Sequence, residues 1–341
     1  MKRNATTSQL FFSHTYGFLG RYLPLQVARS PHTVESYRDA LSAFRKFAFE
    51  ERGLSAATMT FGDCDRDLVL SFLEHMAAKG LAPGTRNQRL AALKSYVWYA
   101  SGRDVALQSV ALAVSRIPPV KDPGKVREVL TEAALAAMMS QPDPSTPMGA
   151  RDRAILVLLY DSAIRLSELI GLDVGDVFFD DPRIFVTGKG SKERMVALTD
   201  ATIGHLAVHV SCFHGSSPNP SAPLFYTKSK GSITRMSPSN LQRLVQKYAD
   251  RARAECSEVP AKVHPHMFRR TRATNLYQSG VPLELVSRIL GHSSTETTKA
   301  YAKPSTEMLR SAMEAAYPED IAESSVWVGR EDELARMCGL R

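Results

Sequence analysis

Between Ser30 and Gly53 the apolar positions Val34, Tyr37, Leu41, Phe44 and Phe47 recur at spacings of three and four. That period lays one apolar stripe along a helix. Ser30 is placed to cap it and Pro31 suits its first turn. The stretch Asp67 to Lys79 repeats the pattern with Leu68, Phe72, Leu73 and Met76, and Gly80 stops it. "LAPGT" reads as a turn. The following "TRNQRLAALKSYVWYASG" turns Leu90, Leu93, Tyr96 and Val97 inward and Arg86, Arg89 and Lys94 outward. A further helix is expected near residues 8–27. Residues 1–116 therefore predict a small, basic, all-helical domain.

"IPPVKDPGKVRE", residues 117–128, holds three prolines and a glycine among charges and reads as a linker. A second domain, 129–316, opens at "LTEAALAAMM" with Thr131 as the cap. "RDRAILVLLYDSAIRLSELIGL" is helical and largely buried. "RIFVTGKGSKERMVAL" has the β-branched residues, Gly-rich turn and alternation of a β-hairpin. Pro218–Pro223 reads as a loop. Helices are expected at about 237–255, 266–279, 282–290 and 295–315, and a short amphipathic tail occupies 317–341. The fold class is mainly α with a small β-hairpin or sheet, an all-helical N-terminal domain followed by a mixed α+β domain.

Composition narrows the partners. Hydrophobic residues make up 44% and charged residues 23% of the 341, normal for a globular chain with a sizeable core. The net charge of +8 favours a polyanion, nucleic acid or an anionic membrane. Residues 1–120 carry 15 Lys and Arg against 9 Asp and Glu, whereas the tail from Tyr317 is acidic. No run approaches a membrane span and the N-terminus lacks the apolar core of a signal peptide, so nucleic acid gains over membrane. The four cysteines share no CxxC spacing, which fits a reducing cytosol and argues against a zinc knuckle or disulfide framework. The expected location is cytoplasmic, on the nucleoid.

Four stretches carry candidate chemistry. In "HPHMFRRTRATNL", His266 and Arg269 share a helix face at its start, with Arg270 and Arg272 beside them. Cations there oppose the helix dipole, so an external anion gives the better reason for them. A solvated basic face is the plain alternative, and zinc at His264 and His266 lacks further ligands at suitable spacing. In "AIRLSELIGL", Arg165 follows a nearly uncharged helix, with Glu168 three positions on as its ion-pair partner or its orienter. "TGKGSKER" is not a P-loop, because Arg183 stands where that motif needs its first Gly. Its Lys189 is either a solvated hairpin tip or a mobile proton donor. In "ILGHSSTETTKAYAK", Gly291 ends one helix, His292 follows, and Tyr301 lies on the next, where a lone Tyr is ordinarily core.

Taken together, order and spacing resemble the tyrosine recombinases of the phage integrase family. The resemblance rests on Arg165 in "AIRLSEL", Lys189 in "GKGSKER", His266 and Arg269 in "HMFR", His292 in "LGH" and Tyr301 nine residues on. It covers about residues 130–315, and the N-terminal helices are similar to the family's SAM-like core-binding domain. Two positions depart from the pattern: Ala163-Ile164 stands for Gly-Leu, and Arg270 stands for His. The resemblance implies a site-specific DNA recombinase that works through a 3′-phosphotyrosine intermediate. Tyr301 would be the nucleophile. Arg165 and Arg269 would clamp the phosphate and His292 would donate to it. His266 would assist proton transfer, Lys189 would protonate the leaving 5′ oxygen, and Glu168 would hold Arg165. No metal, ATP or other cofactor is implied.

The implied partner is double-stranded DNA at a specific recombination site, bound by a homotetramer, with an accessory or sister recombinase a further partner. Arg45, Arg86, Arg89, Lys94 and Arg270 are candidate DNA contacts, mostly to phosphates. Val326, Trp327, Val328, Leu334 and Met337 in the tail would suit docking on a neighbouring protomer, or on their own domain. The divergent N-terminal domain and longer tail favour integration or transposition of a mobile element. "GKGSKER" and "LGHSSTETT" are close to the bacterial dimer-resolving type, which is the alternative. A catalytically silent DNA-binding regulator, a type IB topoisomerase and a basic enzyme acting on phosphate esters are the competing classes.

Overall fold

The computed structural model describes residues 10–121, 128–188, 192–229, 231–291, 298, 304, 306–315 and 330–340. Lys189, His292 and Tyr301 lie outside these, as do Val326, Trp327 and Val328 of the tail. The chain divides into two compact units, Met1–Arg127 and Glu128–Arg341.

The first unit begins with a 3₁₀ turn (Phe11–His14), an α turn (Thr15–Gly17) and a π-helical stretch (Phe18–Gln26), in the region expected as one helix. Pro24 lies inside that stretch and removes a backbone donor. Four α-helices follow: α1 (Pro31–Arg52), α2 (Arg66–Ala78), α3 (Pro83–Ser101) and α4 (Gln108–Ser115). The Ser30 side chain accepts from Thr33 N as the cap of α1, and Asp65 does the same from Leu68 N for α2. "LAPGT" is not a free turn, because Pro83 is already in the first turn of α3, where its missing N–H costs nothing. The core is aromatic. Phe11, Phe18, Phe44, Phe61, Phe72 and Tyr96 are all at most 1% exposed, and Phe11 packs on Phe44, Phe61 and Tyr96 at centroid distances of 5.1–5.5 Å.

Two expectations for this unit are corrected. Ile117 is fully buried in this core and the Asn87 side chain bonds both backbone groups of Val120, so 117–120 belong to the unit and not to a linker. Arg86, Arg89 and Lys94 do not point freely outward; all three are half-buried. Arg89 Nη1 lies 3.2 Å from Met76 Sδ. Lys94 Nζ donates to Ser115 O and Ile117 O at 2.9 and 2.5 Å, at the end of α4 where carbonyls lack helical partners.

The second unit opens with α5 (Glu132–Ser140), capped by Thr131, and α6 (Pro147–Asp161). The long helical reading of "RDRAILVLLYDSAIRLSELIGL" breaks at Ala163, which takes a positive φ of 50°, before α7 (Leu166–Gly171). Strands β1 (Val177–Phe178), β2 (Arg183–Thr187) and β3 (Glu193–Ala197) form an antiparallel sheet in that order. β2 and β3 are the expected hairpin, with Ile184 opposite Val196 and Val186 opposite Arg194. Ile184, Val186 and Val196 face the core.

Helix α8 (Asp200–His214) and the hairpin β4 (Tyr226–Ser229) and β5 (Ser232–Arg235) were not expected from the sequence. α9 (Pro238–Arg253), α10 (Pro265–Gln278) and α11 (Leu283–Leu290) match the expected helices within two residues. The single helix expected over 295–315 is interrupted: Pro304 lies outside any helix, and α12 runs Thr306–Ala315. The tail contributes α13 (Glu331–Met337), on which Leu334 and Met337 are exposed. α6 packs against α8 and α10 at the centre of the unit.

Candidate active site

The α6–α7 break presents Arg165. Ala163 in the left-handed region turns the chain sharply between two helices, a conformation that costs a residue with a Cβ about 1–2 kcal/mol. Gly, which the family pattern places there, would adopt it without that cost. Arg165 follows as the N-cap residue of α7, and Glu168 is the third residue of that helix. The Glu168 carboxylate reaches back to Arg165 N at 2.8 Å, so one side chain both caps the helix and fixes the backbone of Arg165.

Glu168 is 3% exposed and accepts four hydrogen bonds. Beside the backbone amide these come from Arg165 Nη1 at 2.8 Å and from Arg194 Nη1 and Nη2, each at 3.0 Å. Burial alone would raise its pKa. The Arg194 and Arg165 donors outweigh that and hold it at about 2, so the group is a carboxylate at any working pH. Arg194, the last residue of the "GKGSKER" stretch, is a further member of the cluster that the motif by itself gives no role. The signal was present: strand alternation puts position 194 on the same face as the buried Val196, and an inward-facing Arg asks for an anion.

Gly291 ends α11 in the left-handed conformation (φ 62°) and immediately precedes His292. A Cβ on it would sit 2.8 Å from Arg194 Cζ, so the guanidinium occupies the space that only glycine leaves. Arg165 Nη2 makes a long contact of 3.4 Å with Gly291 O. Arg269 is 1% exposed and donates through Nη1 to Ala163 O and through Nη2 to Leu290 O, both at 2.6 Å. Arg269 thus bonds the two segments, 163–165 and 290–291, that Arg165 also links through its own contact with Gly291 O.

Helix α10 supplies Arg269 from its first turns, with Pro265 and Met267 turned into the core. His266, on the first turn, is exposed. Arg270, expected among the DNA-facing cations, is only 8% exposed, and its Nη2 lies 3.1 Å from His264 Nε2. Burial and the Arg270 charge both lower the pKa of His264, so its ring stays neutral as a partner. Arg272 pairs with Asp161 at 3.1 Å and ties α10 to the end of α6. Of the expected site residues the structure brings together Arg165, Glu168 and Arg269, and places His266 on the same helix as Arg269. Lys189, His292 and Tyr301 lie outside the described residues. Lys189 follows Gly188, whose amide donates to Lys192 O at 2.7 Å at the mouth of the hairpin.

Two arginines hold one buried carboxylate, and a third, buried arginine bonds the adjoining segments that lead into His292, an arrangement whose chemistry suits an anion with distributed negative charge. The sequence model of the phage integrase family matches residues 128–308, and that of the phage integrase N-terminal SAM-like domain matches 18–103. The chain belongs to the phage integrase family and is a tyrosine recombinase, a site-specific DNA recombinase. It is 31% identical over 293 residues to a tyrosine recombinase XerC of Myxococcus xanthus, covering 85% of this chain and 92% of that protein. A Sinorhizobium fredii protein provisionally named integrase/recombinase y4rC is 29% identical over 321 residues, covering 93% of this chain and 94% of that one. In fold, the chain is similar to the Tn1549 transposon integrase solved with transposon right end DNA. The TM-score is 0.68 at 18% identity, covering 91% of this chain and 99% of that one. No helix among the described residues is long and apolar enough to cross a membrane.

Proposed function

We propose that the chain cleaves and rejoins duplex DNA at a specific site through a 3′-phosphotyrosine on Tyr301. The observation that carries this reading is the Arg165–Glu168–Arg269 arrangement. It gathers buried and half-buried positive charge on segments adjoining His292 and the Lys189 hairpin. In the reaction, Arg165 and Arg269 bind the non-bridging phosphate oxygens, where charge grows in the transition state. The same field favours the phenolate of Tyr301, whose hydroxyl titrates near 10 when unperturbed. His266 moves the tyrosine proton, His292 adds a donor to the phosphate, and Lys189 protonates the departing 5′ oxygen. The covalent bond keeps the phosphodiester energy until a second 5′ hydroxyl attacks, so the cycle is written without ATP or metal.

Two duplexes exchanging strands need four such sites, hence a tetramer on DNA, with the acidic tail 317–341 as a contact between protomers. The first unit closes on the duplex through phosphate contacts, Arg45, Arg86 and Arg89 foremost. Lys94 is the least available of the four, because its ammonium already holds two carbonyls. Integration or transposition of a mobile element is the role we favour, supported by the near full-length match to the Sinorhizobium fredii protein and by the tail beyond residue 308, where the family match ends. Dimer resolution is the second reading, favoured by the "GKGSKER" and "LGHSSTETT" stretches.

The test is a covalent trap. Nicked duplexes from both flanks of the gene are mixed with wild type and Tyr301→Phe, denatured and separated. A protein–DNA adduct seen with wild type alone is expected. An adduct of equal yield from Tyr301→Phe removes the nucleophile assignment, and salt-sensitive binding with no adduct from wild type points to a silent regulator.

A further inference from the structure

Glu168 poses an electrostatic problem for the site. A buried carboxylate paired to Arg165 alone would neutralise the charge that Arg165 is there to offer. The structure holds a second cation on the same carboxylate. Arg194 grips both oxygens in a two-pronged pair, Nη1 to Oε1 and Nη2 to Oε2, each at 3.0 Å. Arg165 uses one side-chain nitrogen on Oε1. The side chains of Glu168, Arg194 and Arg165 are 1%, 18% and 35% exposed, so the outermost member of the set is Arg165. Two guanidinium groups and one carboxylate leave one net positive charge, and the geometry displays it on Arg165.

We infer that Arg194 is a positioning residue that serves as the counter-ion of Glu168, freeing the charge of Arg165 for the scissile phosphate while Glu168 keeps Arg165 in place. This rests on the recombinase reading of Arg165. It also links two parts of the site. Arg194 is a residue of β3, the strand that leads out of the Lys189 turn, and its guanidinium fills the space over Gly291, just before His292.

A double-mutant cycle separates this role from simple support. Adduct formation on the nicked flanking duplexes is measured from pH 5 to 8 for wild type, Arg194→Met, Glu168→Gln, the double variant, and Arg165→Ala. Arg194→Met should slow adduct formation roughly tenfold or more at neutral pH. The deficit should narrow toward pH 5, as Glu168, deprived of Arg194, takes up a proton and stops cancelling Arg165. Adding Glu168→Gln should recover part of the lost rate, although Glu168→Gln alone slows the wild type.

A purely structural Arg194 predicts the opposite: a pH-independent deficit and a double variant at least as slow as Arg194→Met. Either result overturns the inference. If Arg194→Met fails to melt cooperatively, Arg194→Lys with and without Glu168→Gln makes the same comparison. Arg165→Ala with undiminished adduct removes the assignment of the site itself, and a wild type with no adduct on any fragment removes both. Full activity of Arg194→Met beside an inactive Arg165→Ala removes only the inference.

Discussion

The two units are built on different interiors. In the first, the described core is apolar and aromatic, and no charged side chain is buried among its described residues. In the second, Arg151, Asp152, Glu168, Arg269 and Arg270 are all under 9% exposed, beside a core of aliphatic residues with Phe225, Tyr248 and Phe268 among them. Buried charge is weak evidence for stability, because desolvation offsets most of the attraction. Of these residues, Glu168 and Arg269 belong to the candidate site, whereas Arg151 pairs with Asp152 and Arg270 with His264.

The largest effect that sharpens this contrast is in the aromatic core. Phe44→Ala should destabilise the first unit by about 3–5 kcal/mol. Denaturant unfolding followed through Trp98, which sits on α3, should show an earlier transition for that unit. An unchanged midpoint would mean the core does not depend on this packing.

Arg269→Met, which keeps the volume of a fully buried side chain, should act in the opposite way. Adduct formation should fall by about 10²–10³-fold while the Trp98 transition stays put. A stability loss with cleavage intact would make Arg269 a structural group after all.

The acid response comes next. The Glu168 pKa is lowered, so its contribution to stability is fully present above the unfolded value near 4.5 and is lost as pH falls toward about 2. The amount is on the order of 3 kcal/mol. Glu168→Gln should weaken the second unit at neutral pH and flatten its unfolding free energy between pH 4.5 and 2. An acid slope identical to wild type would place the titrating group elsewhere.

Lys94→Met should cost about 1–2 kcal/mol, because the Ile117 carbonyl loses its donor. Equal stability with weakened DNA binding would instead make Lys94 a phosphate contact.

The amphipathic helices were legible because one face is buried, so Val34, Leu41, Phe44 and Phe47 on α1 print the period directly. Arg165 and Arg269 were legible because a cation beside an uncharged helix or at a helix head lacks a local stabilising reason, and Glu168 because it stands three positions from Arg165, but only the order and spacing of all four stretches joined them into one site. Other features left weaker marks. β5 is exposed at all four positions, so no alternation betrays it. α8 has a good cap in Thr199, but its apolar positions are interleaved with His205, His209 and His214. The break at Ala163 was invisible, since alanine signals helix and only its neighbours force φ to 50°. Strand parity marks Arg194, which shares a face of β3 with the buried Val196.

The central claim is that the Arg165–Glu168–Arg269 site of the second unit serves phosphodiester transfer to Tyr301. Its most direct test is to map the linkage in the trapped protein–DNA adduct by mass spectrometry after digestion of both partners. The account predicts a nucleotide 3′-phosphate on the peptide containing Tyr301 and on no other. A nucleotide attached to a different residue, or through its 5′-phosphate, would contradict it.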